Sequence, residues 1–381
     1  WNVIARIPGE LHPDAWIVLG NHRDAWTYGA VDAISGTAPL LAVARGLGEL
    51  LKKGWKPQRT IVLASWDAEE YGLIGSTEWA EDNADILNRH AVAYLNMDVG
   101  VSGPHFGASA VPSLRRLLHE VTREVVDPAS GRDLYAVWSE TSQRVRRESG
   151  LPIAVPDDAR PPGMDEPRVG ELGSGSDYTP FLQHLGVPAL DIGFGGPYGV
   201  YHAIYDNFYW MENFGDPTFK YSVAAAQVYG TLALRLASAE ILPFDYEDYG
   251  KAAQAYLGAL EKEVKEAGGS EKLRFDAAKA SAARFTEVAE KLGGRMAEIS
   301  SRGRVDSGPL ATVNHALVEV ERAFLLPHGL PGRAWFRHAF YAPGVYTGYE
   351  AVILPGVREP VASKDWSTAA EQLGLVQAAL E

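Results

Sequence analysis

The feature that most constrains this chain is an acidic turn that directly follows an apolar run typical of a buried strand. Residues 60–64 read Thr-Ile-Val-Leu-Ala, and residues 65–72 read Ser-Trp-Asp-Ala-Glu-Glu-Tyr-Gly. Because neighbouring residues on a turn point in different directions, one of Glu69 and Glu70 can bind a metal while the other reaches the water that the metal activates. A turn that only caps the next helix is the alternative. It is less favoured because further ligand-type residues follow the neighbouring strands.

The composition narrows the class of protein. The chain of 381 residues is long enough for two or three domains, and its 46% of apolar residues can fill a large core. With 35 basic and 49 acidic residues, the formal net charge is −14, which argues against nucleic acid and against an anionic membrane surface as partners. There is no cysteine, so any metal must be bound by histidine and carboxylate side chains.

The first residues give no sign of a targeting segment. No signal peptide, transit peptide or membrane-spanning run is visible, and residues 1–5 already read as a strand without an initiator methionine. We therefore interpret the chain as a fragment or processed product whose N-terminal part, with any targeting signal, is missing.

Buried strands alternate with amphipathic helices through residues 1–240, which we predict to form one domain. Strands are predicted at residues 1–8, 15–20, 60–66, 91–96 and 188–194. Helices are predicted from an N-cap at Ser35 to Gly54, and near residues 74–83, 111–125 and 217–239. This alternation is typical of a three-layer α/β fold with a mostly parallel mixed sheet, in which chemistry gathers beyond the carboxyl ends of the strands.

The pattern then changes twice. Residues 139–170 are rich in Pro, Gly, Arg and Asp and are predicted to form a long loop. From residue 241 to 381 the chain is mostly helical, with helices predicted at 272–294, 308–326 and 366–380 and an irregular stretch at 334–358. Long amphipathic helices after an α/β domain indicate a helical, bundle-like second domain, which is often a dimerisation element. The alternative is that their apolar faces only fill the domain's own core.

Five ligand-type residues follow the predicted strands or lie in the loops nearby: His22, Asp32, Glu70, Asp98 and His202. Each alone has an ordinary explanation, such as a core histidine, a helix cap or a loop residue. Together they form a set of two imidazoles and three carboxylates, which suits zinc. Asp32 is the candidate to bridge two ions, and Asp24 is placed to hold the imidazole of His22 from behind.

Longer motifs around these residues resemble one family. The motifs are His22-Arg23-Asp24, Val31-Asp32, residues 66–73, residues 75–81, Asn96-Met97-Asp98 and Tyr201-His202. They are similar to the glutamate carboxypeptidase II and transferrin receptor branch of the co-catalytic zinc exopeptidases, and the similarity runs along essentially the whole chain. It implies a zinc peptidase domain, a helical dimerisation domain, and an inserted apical (protease-associated) domain within the missing part.

The resemblance also implies a role for each matching residue. One zinc ion would take His22 and Asp98, the other Glu70 and His202, and Asp32 would bridge them. Glu69 would be the general acid/base and Tyr201 would donate to the developing oxyanion. Glu78 and Glu81 match ligands of a structural calcium ion, with a solvated helix face as the alternative. Substrate contacts would come from Gly72, Leu73, Gly175, Ser176, Asp191 and Tyr349. A short peptide substrate, a homodimer and an extracytoplasmic location are further implications.

The chain departs from this family where the acidic-substrate peptidases carry basic residues. Ala108, Asp191 and Gly193 stand at the positions of an arginine patch, and Gly348 stands at the position of a lysine, although Tyr349 is kept. Ser176 replaces an asparagine. Without guanidinium groups there is no reason to prefer acidic residues, so we expect acidic dipeptides to be poor substrates. Asp191 could instead bind a free N-terminal ammonium, as in an aminopeptidase or dipeptidase, or form a salt bridge within the fold.

Three functions are compatible with these residues to different degrees. A di-zinc exopeptidase is favoured because all five ligands and the base are present. A catalytically silent receptor or scaffold is the second reading, since the transferrin receptor relatives have lost zinc ligands. A single-zinc acyl or cyclising transferase on a related fold is weaker, because the full two-metal set is present. The chain has no His-Glu-x-x-His, no phosphate-binding loop and no Gly-x-Ser-x-Gly elbow.

Overall fold

A mixed β-sheet organises the first half of the chain in a computed structural model that describes residues 1–149, 166–301, 307–346 and 348–381. Its strands are β1 (Val3–Ile7), β2 (His12–His22), β3 (Arg59–Trp66), β4 (Ala91–Asn96), β5 (His105–Ala110) and β6 (Ala189–Gly195). Within the described residues the six strands lie in the order β1-β3-β2-β4-β6-β5. The pairs β3–β2, β2–β4 and β4–β6 are parallel, and the two edge strands are antiparallel. The predicted mostly parallel mixed sheet is confirmed.

Both faces of the sheet are covered. Every residue of β4 is buried, and because alternate residues of a strand point to opposite faces, neither face is open to solvent. The ring of Tyr94 stacks on Phe181, with ring centroids 4.0 Å apart. The hydroxyl group of Tyr229 lies 2.9 Å from the backbone carbonyl of Gly20 in β2. The predicted α/β class follows from these two layers of helix and loop on a buried sheet.

The second half is mostly helical, as predicted. The helices of the whole described chain are α1 (Ile34–Lys52), α2 (Ile74–Asp82), α3 (Ala84–His90), α4 (Pro112–Glu124), α5 (Leu134–Ser149), α6 (Phe208–Trp210), α7 (Lys220–Ser238), α8 (Tyr246–Glu266), α9 (Asp276–Ser301), α10 (Ser307–Arg322), α11 (Pro355–Ser363) and α12 (Trp366–Ala379). A small hairpin, β7 (Tyr341–Pro343) with β8 (Ala351–Ile353), precedes α11. None of the described helices is both long and apolar enough to cross a membrane. The predicted domain boundary near residue 240 stays a prediction.

Three local predictions were wrong. Helix α5 covers Leu134–Ser149, where residues 139–170 were predicted to be a loop; residues 150–165 lie outside the described part. The helix forms because Leu134 and Trp138 bury one face, and Trp138 packs edge-on against Phe106 with ring centroids 5.0 Å apart. The irregular stretch 334–358 contains the β7–β8 hairpin and the start of α11.

Ser35 does not cap α1. The helix begins at Ile34 after Ala33, so Ser35 is already inside its first turn. Its hydroxyl group donates to the backbone carbonyl of Val31 at 2.6 Å and accepts from the backbone N–H of Val101 at 3.0 Å. Ser35 therefore ties the start of the helix to the loop after β4, and the alternative role of Asp32 as the helix cap is also excluded.

Candidate metal centre

Six predicted site residues converge at one edge of the sheet. His22 is the last residue of β2, Glu69 and Glu70 follow β3, and Asp98 follows β4. Because these strands are parallel neighbours, their carboxyl ends meet at the same edge. Asp32 reaches the same place from the loop before α1, and His202 reaches it from the loop after β6.

The first group of ligand atoms surrounds the imidazole of His22. Its Nε2 atom lies 2.7 Å from Oδ1 of Asp98, 3.3 Å from Oδ1 of Asp32 and 3.8 Å from Oε2 of Glu69. The potential ligand atoms of His22, Glu69 and Asp98 all lie within 4.8 Å of one another. This spacing is compatible with a cation held between them.

The second group surrounds His202. Its Nε2 atom lies 3.1 Å from Oδ2 of Asp32 and 3.1 Å from Oε2 of Glu70. Asp32 therefore presents one oxygen to each imidazole, which is the arrangement expected of a bridging carboxylate. Asp32 is buried, and its Oδ1 atom has no hydrogen-bond partner among the described residues. A buried carboxylate oxygen without a donor is costly unless a cation compensates it.

Asp24 supports three site residues rather than one. The backbone carbonyl of Asp24 lies 3.1 Å from Nδ1 of His22, closer than the Asp24 carboxylate at 3.5 Å. The two carboxylate oxygens accept from the backbone N–H groups of Glu69 at 3.1 Å and Glu70 at 3.2 Å. Burial raises the pKa of Asp24, but its hydrogen bonds to His22, Glu69 and Glu70 more than reverse this and lower it overall. Asp24 thus fixes the acidic turn as well as the histidine.

Two buried aspartates near the site were missed by the sequence analysis. Asp206 accepts from the backbone N–H groups of Val31 at 2.8 Å and Asp32 at 3.1 Å, and the hydroxyl group of Tyr198 donates to it at 2.8 Å. Asp177 is fully buried, and the charge of Asp177 helps to raise the pKa of Glu69. Asp206 lies four residues after His202, which was the available signal, but its backbone partners Val31 and Asp32 are about 175 positions away in sequence.

The crowded carboxyl groups of the centre favour a bound cation. Burial, followed by the charge of Asp98, raises the pKa of Glu69 to about 9, and burial, followed by the charge of Asp32, raises the pKa of Glu70 to about 7. Burial lowers the pKa of His22, but the charge of Asp98 and the close carboxylates of Asp24, Asp32 and Asp98 more than reverse this. Carboxylates crowded in this way repel one another, and divalent cations relieve that repulsion. The donor set of imidazole nitrogens and carboxylate oxygens fits zinc.

The predicted substrate residues lie around this centre, with one exception. Tyr201 stacks on His202 with ring centroids 3.6 Å apart, and Tyr349 from the β7–β8 hairpin packs against the loop of Gly175. Gly72 and Leu73 both have positive φ and lead from the acidic turn into α2. Ser176 is only 2% exposed, and its hydroxyl group accepts from Nδ2 of Asn96 at 3.0 Å. Ser176 therefore lies beneath the site and does not line its surface.

Asp191 is half-buried and is the third residue of β6. Its Oδ1 atom accepts from Nδ2 of Asn96 at 2.8 Å, and it forms no ion pair with any residue in the described part of the chain. Burial and the charge of Asp98 raise the pKa of Asp191 to about 7. The internal salt bridge considered for Asp191 is thus absent among the described residues.

The two predicted calcium ligands lie on α2. Both Glu78 and Glu81 are exposed, and Oε1 of Glu81 accepts from the indole N–H of Trp335 at 2.5 Å. Within the described ranges no group of three metal-binding side chains includes either of them. The calcium site stays a prediction.

Two family models match the chain. Residues 2–152 match peptidase family M28, and residues 273–381 match the transferrin receptor-like dimerisation domain. Residues 2–152 therefore form a segment of the peptidase family M28 type, and residues 273–381 a dimerisation domain of the transferrin receptor type. The resemblance found in the sequence motifs is confirmed.

Curated relatives are similar to this chain along nearly all of its length. The chain is 43% identical over 363 residues to a probable glutamate carboxypeptidase LAMP1 of Arabidopsis thaliana, covering 94% of this chain and 49% of the relative. It is 33% identical over 399 residues to the aminopeptidase NAALADL1 of Mus musculus, covering 100% of this chain and 51% of the relative. The chain spans about half the length of the curated relatives that it matches. A solved zinc aminopeptidase from Bacillus subtilis aligns over 62% of this chain and 50% of its own, with 18% identity and a TM-score of 0.43.

Proposed function

We propose that this chain carries the catalytic part of a di-zinc exopeptidase that hydrolyses short peptides. The observation that supports this most is Asp32, whose two oxygens each face a different imidazole at 3.3 Å and 3.1 Å. His22 and Asp98 would hold one zinc ion, Glu70 and His202 the other, and Asp32 both. Bound zinc supplies an activated water molecule and a polarised scissile carbonyl group.

Glu69 is the general acid/base in this proposal. It precedes the ligand Glu70, its Oε2 atom lies 3.8 Å from Nε2 of His22, and its backbone N–H is held by Asp24. Its carboxylate takes a proton from the attacking water and delivers it to the leaving amine. The ring of Tyr201 stacks on that of His202, and its hydroxyl group donates to the oxygen that gains negative charge. Burial raises the pKa of Tyr201, so the phenol stays protonated and can donate a hydrogen bond.

The Glu69→Gln variant tests this assignment. Glutamine keeps the size of the side chain but cannot take a proton, so we expect kcat to fall by about a thousandfold or more with zinc content unchanged. Zinc is counted by mass spectrometry and hydrolysis is followed with unblocked dipeptides. Full activity in Glu69→Gln, or a wild-type protein that binds zinc and cleaves no peptide, would contradict the proposal and favour a silent receptor.

The preferred peptide is expected to be neutral with a free amino terminus. Asp191 carries a carboxylate without an ion-pair partner in the described chain, close enough to Asp98 to feel its charge. Ala108 and Gly193 beside it offer no cation for an acidic side chain. Asp191→Asn should therefore reduce the preference for free over N-acetylated dipeptides, as measured by the ratio of kcat/KM. An unchanged ratio would point to the carboxypeptidase alternative.

The remaining parts of the proposal concern the whole protein. A homodimer formed through residues 273–381, a structural calcium ion at Glu78 and Glu81, and an extracytoplasmic location all derive from the family resemblance. Light scattering on the purified chain tests the dimer, and calcium titration followed by thermal unfolding tests the ion.

A further inference from the structure

Two exposed aromatic rings stand beside the candidate metal centre and have no part in the chemistry described above. Trp26 is 49% exposed and Tyr71 is 65% exposed. Their centroids lie 5.3 Å apart with an interplanar angle of 50°. Trp26 comes from the loop between β2 and α1, and Tyr71 comes from the acidic turn after β3, so two separate segments bring the rings together.

Trp26 and Tyr71 both lie on the side of the centre that Glu70 and His202 form. The backbone N–H of Trp26 donates to Oε1 of Glu70 at 3.2 Å, and Tyr71 follows Glu70 in sequence. The ring of Trp26 also lies 6.0 Å from the ring of His202. A molecule bound at the oxygens of Glu70 and Asp32 would therefore extend over one or both rings.

The two sides of the centre differ in chemistry. On the side of His22 and Asp98, the half-buried carboxylate of Asp191 offers a site for positive charge. On the side of Glu70 and His202, the exposed surface of Trp26 and Tyr71 is apolar and offers about the area of one large side chain. Exposed aromatic surface that adjoins a catalytic centre gains free energy when an apolar group covers it.

We propose that Trp26 and Tyr71 form the recognition surface for an aliphatic or aromatic side chain of the residue flanking the scissile bond. This inference rests on the proposed peptidase function and specifies its substrate class: neutral peptides with a large apolar residue at the cleavage point. Trp26 and Tyr71 determine specificity here and take no part in proton transfer.

The experiment compares dipeptides that differ only in size at one position: Ala-Ala, Ala-Leu, Ala-Phe, Leu-Ala and Phe-Ala. In the wild type, kcat/KM for the better Leu or Phe series should exceed that for Ala-Ala about tenfold or more, as one apolar pocket allows. Trp26→Ala and Tyr71→Ala should reduce that ratio about tenfold, mainly through KM, with zinc content unchanged. Tyr71→Phe keeps the ring and should keep the ratio.

Tyr28→Ala is the matched control. Tyr28 lies in the same loop as Trp26 and is 72% exposed, but it makes no ring contact with the described residues. Loss of the Tyr28 side chain should leave the ratio of kcat/KM for the Leu or Phe dipeptides to that for Ala-Ala unchanged. Calorimetric binding of free leucine and alanine to the wild type and to Trp26→Ala measures the same selectivity without turnover.

The outcomes separate this inference from the function on which it rests. An equal fall of kcat/KM for every dipeptide in Trp26→Ala, or a wild type that does not prefer Leu or Phe, would overturn the recognition surface and leave the peptidase intact. Selective binding of leucine that depends on Trp26, in a protein that cleaves no dipeptide, would support the surface and overturn the peptidase.

Discussion

At the scale of the residue, the centre is defined by where Asp32 lies. Its carboxylate stands between two imidazoles that come from distant parts of the chain, and its Oδ1 atom has no hydrogen-bond donor in the described structure. Asp24 and Asp206 hold the backbone of the acidic turn and of the Asp32 loop through four hydrogen bonds from backbone N–H groups. Such supporting carboxylates keep ligands in place before an ion arrives.

The pKa values of the site carboxyl groups predict an unusual dependence of stability on pH. Burial is the main cause of the raised pKa values of Glu69, about 9, and of Glu70, Asp177 and Asp191, each about 7. In the unfolded chain these groups titrate near pH 4. A group with a raised pKa in the folded state contributes stability at low pH that is lost as the pH rises through the folded value.

The metal-free protein should therefore become less stable between about pH 5 and pH 9, as measured by the melting temperature in the presence of a chelator. Zinc should raise the melting temperature more at pH 8 than at pH 6, because protons compete with the cation for the carboxylates. The same increment at both pH values would show that zinc binds elsewhere. The Glu69→Gln variant lacks one of these groups and should show a weaker pH dependence without metal.

The convergence of the candidate ligands and of Glu69 could be predicted from sequence because these residues lie inside local motifs, such as His22-Arg23-Asp24 and the acidic turn. Asp206 and Asp177 could not, since they act through burial and hydrogen bonds to residues far away in the chain. The burial of Ser176 could not be predicted for the same reason: its neighbour Asn96 lies 80 positions away, and only the folded chain shows that both are buried.

At the scale of the element, the long periodic segments were predicted and the short or mixed ones were not. Strands β3 and β4 are runs of buried apolar residues, which the sequence displays directly. Strand β5 was missed because Phe106 is its one large apolar residue and the others are small or polar. Helix α5 was missed because its last residues are rich in Arg and Ser, although Leu134 and Trp138 carry a buried face.

Arg59 joins two elements of the fold and allows a direct test of their packing. It is the first residue of β3, is 1% exposed, and its Nη1 atom donates to the carbonyl groups of Leu236 at 3.0 Å and Ala239 at 2.5 Å at the end of α7. Arg59→Met keeps much of the volume but loses both hydrogen bonds. We expect the free energy of unfolding to fall by about 2–3 kcal/mol in urea titrations.

Arg45 is the matched control for that experiment, because it is exposed on α1. Arg45→Met should change the free energy of unfolding by less than about 0.5 kcal/mol. Equal effects of the two substitutions would mean that Arg59 contributes nothing beyond a surface charge.

At the scale of the whole molecule, the site draws on both halves of the chain. The candidate metal ligands come from residues 22–202, whereas Tyr349 comes from the segment that matches the dimerisation domain. The backbone of Tyr349 meets the first half at Gly173: a Cβ atom added to Gly173 would lie 1.8 Å from the carbonyl oxygen of Tyr349. The backbone N–H of Ser174 donates to that same oxygen at 3.1 Å.

Gly173→Ala should therefore displace Tyr349 without touching the metal ligands. We expect a lower kcat/KM for dipeptides, an unchanged zinc content and a lower melting temperature. Gly107→Ala is the control, since a Cβ atom there meets no other atom within 4 Å. Unchanged kcat/KM in Gly173→Ala would remove Tyr349 from the substrate site.

The most direct test of the account is anomalous diffraction at the zinc edge from crystals grown with zinc. We predict two peaks roughly 3.5–4 Å apart, one beside His22 and Asp98, the other beside Glu70 and His202, with Asp32 contacting both. A single peak, or none within reach of Asp32, would contradict the two-metal centre.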